Sequence, residues 1–114
     1  MTKFRQNKYR AKGVHADGQF FSSKGEYRRY LDLKVLEQAQ HITGLELHPR
    51  YPITVNGFKV CTVVLDFAYY DCRENCTVYE DYKGFYTPES KLRHKLFMAC
   101  YGTDVKITGR SILK

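Results

Sequence analysis

The amino-acid sequence predicts an α/β (α+β) fold in which a central mixed β-sheet is flanked by two helices. Three observations carry this prediction: two helical segments with start signals, a hairpin signal between apolar segments, and an apolar segment after the second helix. The chain has 114 residues and is 43% hydrophobic, which suffices for one core. We therefore expect a basic arm at residues 1–12 and one domain at residues 13–114.

The first helix is predicted over about residues 24–40 from its capping and periodicity signals. Ser23 and Glu26 have the spacing of a capping box, and apolar residues follow at helical intervals. Gly44 is the expected terminator just beyond. Ahead of the helix, Asp17-Gly18 predicts a tight hairpin turn between two short segments.

The middle of the chain predicts a meander of three antiparallel strands. Before it, residues 45–47 form at most a short strand, because two prolines follow closely. Asn56-Gly57 is a strong two-residue hairpin signal between the first two strands of the meander. The three expected strands cover residues 53–55, 59–70 and 76–84.

The second helix is predicted to begin at Thr87-Pro88-Glu89, which offers an N-cap residue, a proline at the first position and an acid in the first turn. Gly102 would end it. Its expected apolar face consists of Leu92, Leu96, Ala99 and Cys100. Residues 104–108 predict a last strand, and a strand–helix–strand order favours a right-handed crossover with parallel pairing.

The chain is strongly basic, with 19 Lys and Arg against 12 Asp and Glu and a net charge of +7. Such a balance favours a polyanionic partner, of which nucleic acid is the commonest. The first twelve residues contain no acid, and their basic residues are Lys3, Arg5, Lys8, Arg10 and Lys12. We expect this arm to contact DNA phosphates. A soluble basic protein without such a partner is the alternative.

Neither a membrane span nor a secretion signal is recognisable in the sequence. No run approaches the ~20 apolar residues that a spanning helix needs, and the charged N-terminus lacks an apolar core. We therefore expect a cytoplasmic protein without a membrane partner. Its four cysteines are expected to be reduced, and Cys72 and Cys76 lack a second ligand pair at zinc spacing.

The side chains best suited to catalysis or metal binding lie between residues 60 and 85. Asp66 stands inside an apolar run, and Asp81 and Lys83 are two residues apart, so they share one face of a strand. Two carboxylates from neighbouring strands can chelate a hard divalent cation, and a lysine can stabilise charge on a reacting phosphate. The alternative is an exposed Asp81–Lys83 pair with Asp66 at a bulge or sheet end.

Several separated blocks of the sequence resemble one family. They are FFSSKGEYRRY, LELHPRY, VLDF and EDYKGFYTPE. From residue 7 to about residue 107, the chain resembles a small phage-encoded domain family of unknown function, DUF1064, and the order of its acidic motifs is similar to that of the PD-(D/E)XK nuclease superfamily. Leu65 stands where that superfamily usually has proline. The resemblance implies a restriction-endonuclease-like core.

The resemblance also implies roles for individual residues. Asp66, Asp81 and Glu26 would be ligands of Mg²⁺ or Mn²⁺, and Lys83 would be the motif lysine that positions the attacking water. Glu80 is a rival for the second acidic position, but strand alternation sends it to the face opposite Lys83. Glu26 has a competing role as the N3 residue of the capping box, the third residue of the helix.

The function that the resemblance implies is metal-dependent endodeoxyribonuclease activity in phage DNA metabolism, in the host-cell cytoplasm. A chain of this size has little room to read sequence, so we expect selectivity for branched or recombining DNA. Duplex cleavage usually needs two active sites, so we expect a homodimer. Further DNA contacts are expected on the helices, at Arg28, Arg29, Lys91 and Lys95. The alternative is a catalytically silent nuclease-fold module that binds DNA or a protein.

Overall fold

The computed structural model describes residues 13–109 and has an α+β fold, as predicted. The strands are β1 (Val14–Ala16), β2 (Gln19–Phe21), β3 (Ile42–Leu47), β4 (Arg50–Val55), β5 (Phe58–Val64), β6 (Phe67–Asp71), β7 (Cys76–Lys83) and β8 (Lys106–Gly109). The helices are α1 (Lys24–Gln38) and α2 (Pro88–Tyr101). The mixed sheet has the order β3-β6-β7-β8, beside the two-stranded pairs β1-β2 and β4-β5. The basic arm at residues 1–12 lies outside the described residues.

Helix α1 begins where the sequence predicts and ends two residues early. The Ser23 hydroxyl accepts a hydrogen bond from the Glu26 amide at 3.1 Å, which confirms the N-cap. The prediction that Gly44 terminates the helix is wrong. Gln40 supplies the left-handed residue after the helix (φ 65°), and Gly44 (φ 66°) lies inside β3, where the register with β6 shifts.

Both predicted hairpin turns are confirmed. Asp17 and Gly18 join β1 to β2, and Asn56 and Gly57 join β4 to β5. All four residues have positive φ, from 51° to 83°, as a type I′ turn requires. The two strands before the second hairpin are longer than predicted, since β3 begins at Ile42 and β4 runs through Pro52 in a two-stranded sheet, where a proline is tolerated.

The prediction of one continuous strand over residues 59–70 is wrong, because the chain changes sheets near its middle. β5 pairs with β4, whereas β6 pairs with β3 and β7. Leu65 and Asp66 form the bend between them. The Leu65 amide donates to the Pro49 carbonyl at 3.1 Å, and the His48 amide donates to the Asp66 carbonyl at 3.0 Å. The bend is therefore fixed to the segment between β3 and β4.

Helix α2 has the predicted ends but a different buried face. The Thr87 hydroxyl accepts from the Ser90 amide, and Gly102 ends the helix at φ 72°. The buried side chains are His94 and Phe97. The expected apolar face is wrong for Leu92, Ala99 and Cys100, which are exposed. Phe97 joins an apolar cluster with residues of β4 and β5, and this contact fixes the rotation of the helix.

Strand β8 pairs in parallel with β7, as the crossover argument predicts. Two apolar clusters hold the fold together, one around Phe21, Leu33 and Phe67 and the other around Ile53 and Phe97. Within residues 13–109, neither helix is long and apolar enough to cross a membrane.

Candidate functional site

Asp66 and Asp81 face each other at the bend, as the sequence predicts. The Asp66 amide donates a hydrogen bond to Asp81 Oδ1 at 3.0 Å, and the Tyr82 amide donates to Asp66 Oδ2 at 2.8 Å. Each carboxylate is thus bound to the backbone of the opposite segment. Because Asp66 precedes β6 directly, the start of that strand and the end of β7 together fix both acids.

The Asp81 carboxylate turns toward α2. It is 4% exposed, and its Oδ2 lies 2.9 Å from His94 Nε2 and 3.4 Å from Lys83 Nζ. The other ring nitrogen of His94 lies 2.7 Å from the Tyr86 hydroxyl. Lys83 also donates to the Ser90 hydroxyl at 3.3 Å. Asp81 and Lys83 therefore share one face of β7 and adjoin a pocket of about 90 Å³.

Glu80 turns toward the opposite helix, in agreement with strand alternation. Its carboxylate is fully buried and accepts hydrogen bonds from both Nε and Nη2 of Arg29 on α1. The Tyr69 hydroxyl at 2.6 Å and the Thr108 hydroxyl at 3.0 Å complete its partners. Arg29, which the resemblance offered as a DNA contact, thus holds α1 to the sheet, and hydrogen bonding to Glu80 raises the pKa of its guanidinium.

Glu26 takes part in the helix cap through its amide, and its carboxylate contacts Ser22 and His48. The residue is 2% exposed. Oε1 accepts from the amide and the hydroxyl of Ser22, at 3.0 Å and 2.7 Å. Oε2 lies 3.0 Å from His48 Nε2. Both carboxylate oxygens therefore have partners, and Oε2 is the one that faces His48.

Sequence reasoning missed His48, although it belongs to the family block LELHPRY. It lies between β3 and β4 in the left-handed region (φ 53°). Potential ligand atoms of Glu26, His48 and Asp66 lie within 4.8 Å of one another. Together with Ser22 and Gln19 they line a pocket of about 470 Å³. A histidine next to a proline between two strands was the available signal, and it indicates no chemistry by itself.

The two acids at the bend have pKa values shifted in opposite directions. Burial, the Asp81 carboxylate and the Glu26 carboxylate together raise the pKa of Asp66 to about 9. Burial also acts to raise the pKa of Asp81, but the hydrogen bond from His94 and the charge of Lys83 outweigh it and hold that pKa below its usual value. A divalent cation beside Asp66 would favour its ionised form, because the positive charge offsets both the burial and the neighbouring carboxylates.

Residues 6–113 match the model of a protein family described as "Protein of unknown function (DUF1064)". The chain belongs to this family. Membership in DUF1064 confirms the family resemblance over nearly the whole chain, and the description carries no activity. No curated protein and no solved structure matches the chain.

The remaining basic candidates of this DUF1064 chain lie at different places. Arg28, Lys91 and Lys95 are exposed, and Lys91 Nζ lies 5.5 Å from the centre of the Tyr86 ring. The five basic residues of the arm lie outside the described residues. Around Asp66 the structure brings together two sets of groups: Glu26 and His48 on one side, and Asp81 with Lys83 on the other. Carboxylates, an imidazole and an ammonium in this proximity are suited to metal-assisted hydrolysis.

Proposed function

We propose that this protein is a metal-dependent endodeoxyribonuclease, a phosphodiester hydrolase with a core of the PD-(D/E)XK type. The observation that carries the proposal is the arrangement of Asp66, Asp81 and Lys83. The two acids are hydrogen-bonded across β6 and β7, and the lysine ammonium lies 3.4 Å from Asp81. Two acids and a lysine in this order are the components to which the resemblance to the PD-(D/E)XK superfamily assigns phosphodiester hydrolysis.

The chemistry of the donor set fits Mg²⁺ or Mn²⁺. Asp66, with Glu26 and Asp81 on its two sides, offers carboxylate oxygens, which these hard cations prefer. Burial and, after it, the charges of Asp81 and Glu26 raise the pKa of Asp66, and a cation would offset both effects. When bound, such an ion acidifies a water molecule and neutralises charge on the phosphodiester.

The chain's own groups would orient the reactants. Lys83 is half-buried, and its Nζ is directed by Asp81 and by the Ser90 hydroxyl. From there it would hold the attacking water and stabilise charge on the phosphate. His94 lies between Asp81 and Tyr86 and fixes the orientation of the Asp81 carboxylate, as outer partners of reactive acids do.

The proposal extends to the substrate and to the assembly of the protein. A net charge of +7 favours DNA as partner. Branched DNA and recombination intermediates in phage DNA metabolism are the proposed substrates. A homodimer would supply the two sites that duplex cleavage needs, and the host-cell cytoplasm is the proposed compartment.

A substrate panel tests the proposal. The protein is incubated with linear, nicked, flapped and four-way-junction DNA in Mg²⁺, Mn²⁺ or EDTA. We expect metal-dependent cutting of a branched substrate and a loss of about 10²–10³-fold in rate for Lys83→Gln, since one charge-stabilising group is removed. The matched control is Lys59→Gln on β5, an exposed lysine away from the bend. Equal cutting by Lys83→Gln would contradict the proposed role.

One observation favours a second candidate, a catalytically silent module that binds DNA or protein. Both oxygens of Asp81 already have partners: Oδ1 accepts from the Asp66 amide, and Oδ2 contacts His94 and Lys83. A carboxylate satisfied in this way needs no metal. DNA binding that survives Asp81→Asn, together with no cutting of any substrate in the panel, would favour this second function.

A further inference from the structure

The pocket beside α1 is lined by a mixed set of metal-ligating groups. Glu26 Oε2 and His48 Nε2 are 3.0 Å apart, and with a carboxylate oxygen of Asp66 they form a group within 4.8 Å. Bonds of about 2.0–2.2 Å to a shared ion place neighbouring ligand atoms in this range after small adjustments. The pocket in front of them, about 470 Å³, leaves room for water and for a substrate oxygen.

The backbone holds these three groups in position. His48 has a left-handed conformation (φ 53°), which costs energy in a non-glycine residue and recurs at functional sites. Its amide donates to the Asp66 carbonyl at 3.0 Å, so the two residues are joined directly. Glu26 is oriented by the amide and hydroxyl of Ser22. A metal site needs ligand side chains whose orientation is fixed by hydrogen bonds from neighbouring groups, as it is here.

Glu26 and Asp66 also differ from the other acids nearby in their charged partners. Asp81 has Lys83, and Glu80 has Arg29. Within residues 13–109, no lysine or arginine forms an ion pair with Glu26 or Asp66. The buried Glu26 carboxylate and the partly buried Asp66 carboxylate therefore have the His48 imidazole beside them but no permanent positive charge. A divalent cation would provide it.

We propose that Glu26, His48 and Asp66 bind a divalent transition-metal ion, with His48 as a nitrogen ligand. The proposal rests on the metal dependence proposed above and deepens it, because it makes His48, in place of Asp81, the third ligand and selects the ion. Imidazole nitrogen suits transition metals, whereas Mg²⁺ prefers an all-oxygen shell. The site therefore takes Co²⁺ and Mn²⁺ in preference to Mg²⁺, while Asp81 holds Lys83 and His94 on the far side of the bend.

Direct metal binding to the full chain tests this proposal. Co²⁺ is followed by its visible absorption, Mn²⁺ by electron paramagnetic resonance, and Mg²⁺ by competition with Mn²⁺. We expect Mn²⁺ to bind about tenfold more tightly than Mg²⁺. His48→Asn keeps a residue that tolerates the left-handed backbone, and should weaken Co²⁺ and Mn²⁺ binding by about tenfold or more. The matched control, His15→Asn on β1, is exposed and should bind as the wild type does.

A second variant guards against a folding defect in the first. Glu26→Gln keeps an acceptor for Ser22 and should weaken Co²⁺ binding to a similar extent. Equal affinity for Mn²⁺ and Mg²⁺, or Co²⁺ binding that neither variant changes, would overturn the proposal. DNA cutting in Mg²⁺ with no dependence on His48 would overturn it and leave the nuclease proposal standing. Co²⁺ binding that depends on His48, without cutting of any DNA, would support the metal-site proposal and contradict the nuclease proposal.

Discussion

Asp66 is the residue at which the site's two halves meet. It contacts Tyr82 and Asp81 across the bend and lies within ligand distance of Glu26 and His48. Sequence reasoning found Asp66 because a carboxylate inside an apolar run is a local signal. It did not find His48, because the residues that give this histidine a chemical context lie far away in the chain. The same holds for His94, whose partner Asp81 lies on β7.

Replacing Asp66 by asparagine should stabilise the metal-free protein at high pH. The folded-state pKa of Asp66 is about 9, above its ordinary value of 3.8. Its contribution to stability is therefore full below about pH 4 and is lost as the pH rises through 9. Asn cannot ionise, so in EDTA we expect a gain in the free energy of unfolding that grows by up to about 1.4 kcal/mol for each pH unit between pH 5 and pH 8. Urea titrations at pH 5 and pH 8 measure it.

The control for this prediction is Asp32→Asn, an exposed carboxylate on α1. Its effect on the free energy of unfolding should stay within about 0.5 kcal/mol at both pH values. A wild type as stable at pH 8 as at pH 5, with Asp66→Asn no more stable, would contradict the raised pKa.

At the scale of elements, β7 connects the two helices through adjacent residues. Glu80 faces α1, where it binds Arg29, and Asp81 faces α2, where it binds His94. This alternation was predictable from the sequence, because strand side chains point to opposite faces in turn. The helix partners were not, since helical periodicity gives a face but not the element that covers it.

Removing the Arg29 side of the first connection should destabilise the fold. Arg29→Met leaves the Glu80 carboxylate buried without a cation, so we expect a loss of roughly 3–5 kcal/mol in the free energy of unfolding. The neighbouring Arg28 is exposed, and Arg28→Met should change that free energy by no more than about 0.5 kcal/mol. Urea denaturation of both variants measures the difference. Similar stability in the two variants would show that the Arg29–Glu80 pair does not hold α1.

The division of residues 59–70 into two strands is a feature that sequence patterns do not predict. An apolar run from residue 60 to residue 70 is compatible with one long strand or with two that belong to different sheets. The chain bends because Leu65 and Asp66 bind the His48–Pro49 segment through their backbones. That contact is non-local, so no window of sequence contains it. The bend nevertheless determines the site, since it places Asp66 beside Glu26 of α1 and Asp81 of β7.

At the scale of the whole molecule, basic charge should dominate DNA binding. The logarithm of affinity should fall linearly with the logarithm of salt concentration, by about 0.9 for each phosphate neutralised. Replacing Lys3, Arg5, Lys8, Arg10 and Lys12 together by glutamine should reduce this slope by about 3–4 units. Fluorescence anisotropy with a labelled DNA duplex at several salt concentrations measures it. An unchanged slope would mean that the arm does not contact DNA.

Cleavage by Asp66→Asn tests the central claim most directly. The wild type, Asp66→Asn and Asp32→Asn are incubated in Mn²⁺, under single-turnover conditions, with the DNA structure that the wild type cuts best. Metal-dependent hydrolysis at the bend predicts that Asp66→Asn remains folded and loses at least about a hundredfold in rate, while Asp32→Asn cuts at the wild-type rate. Equal rates in all three proteins, or no cutting of any DNA structure by the wild type, would contradict the account.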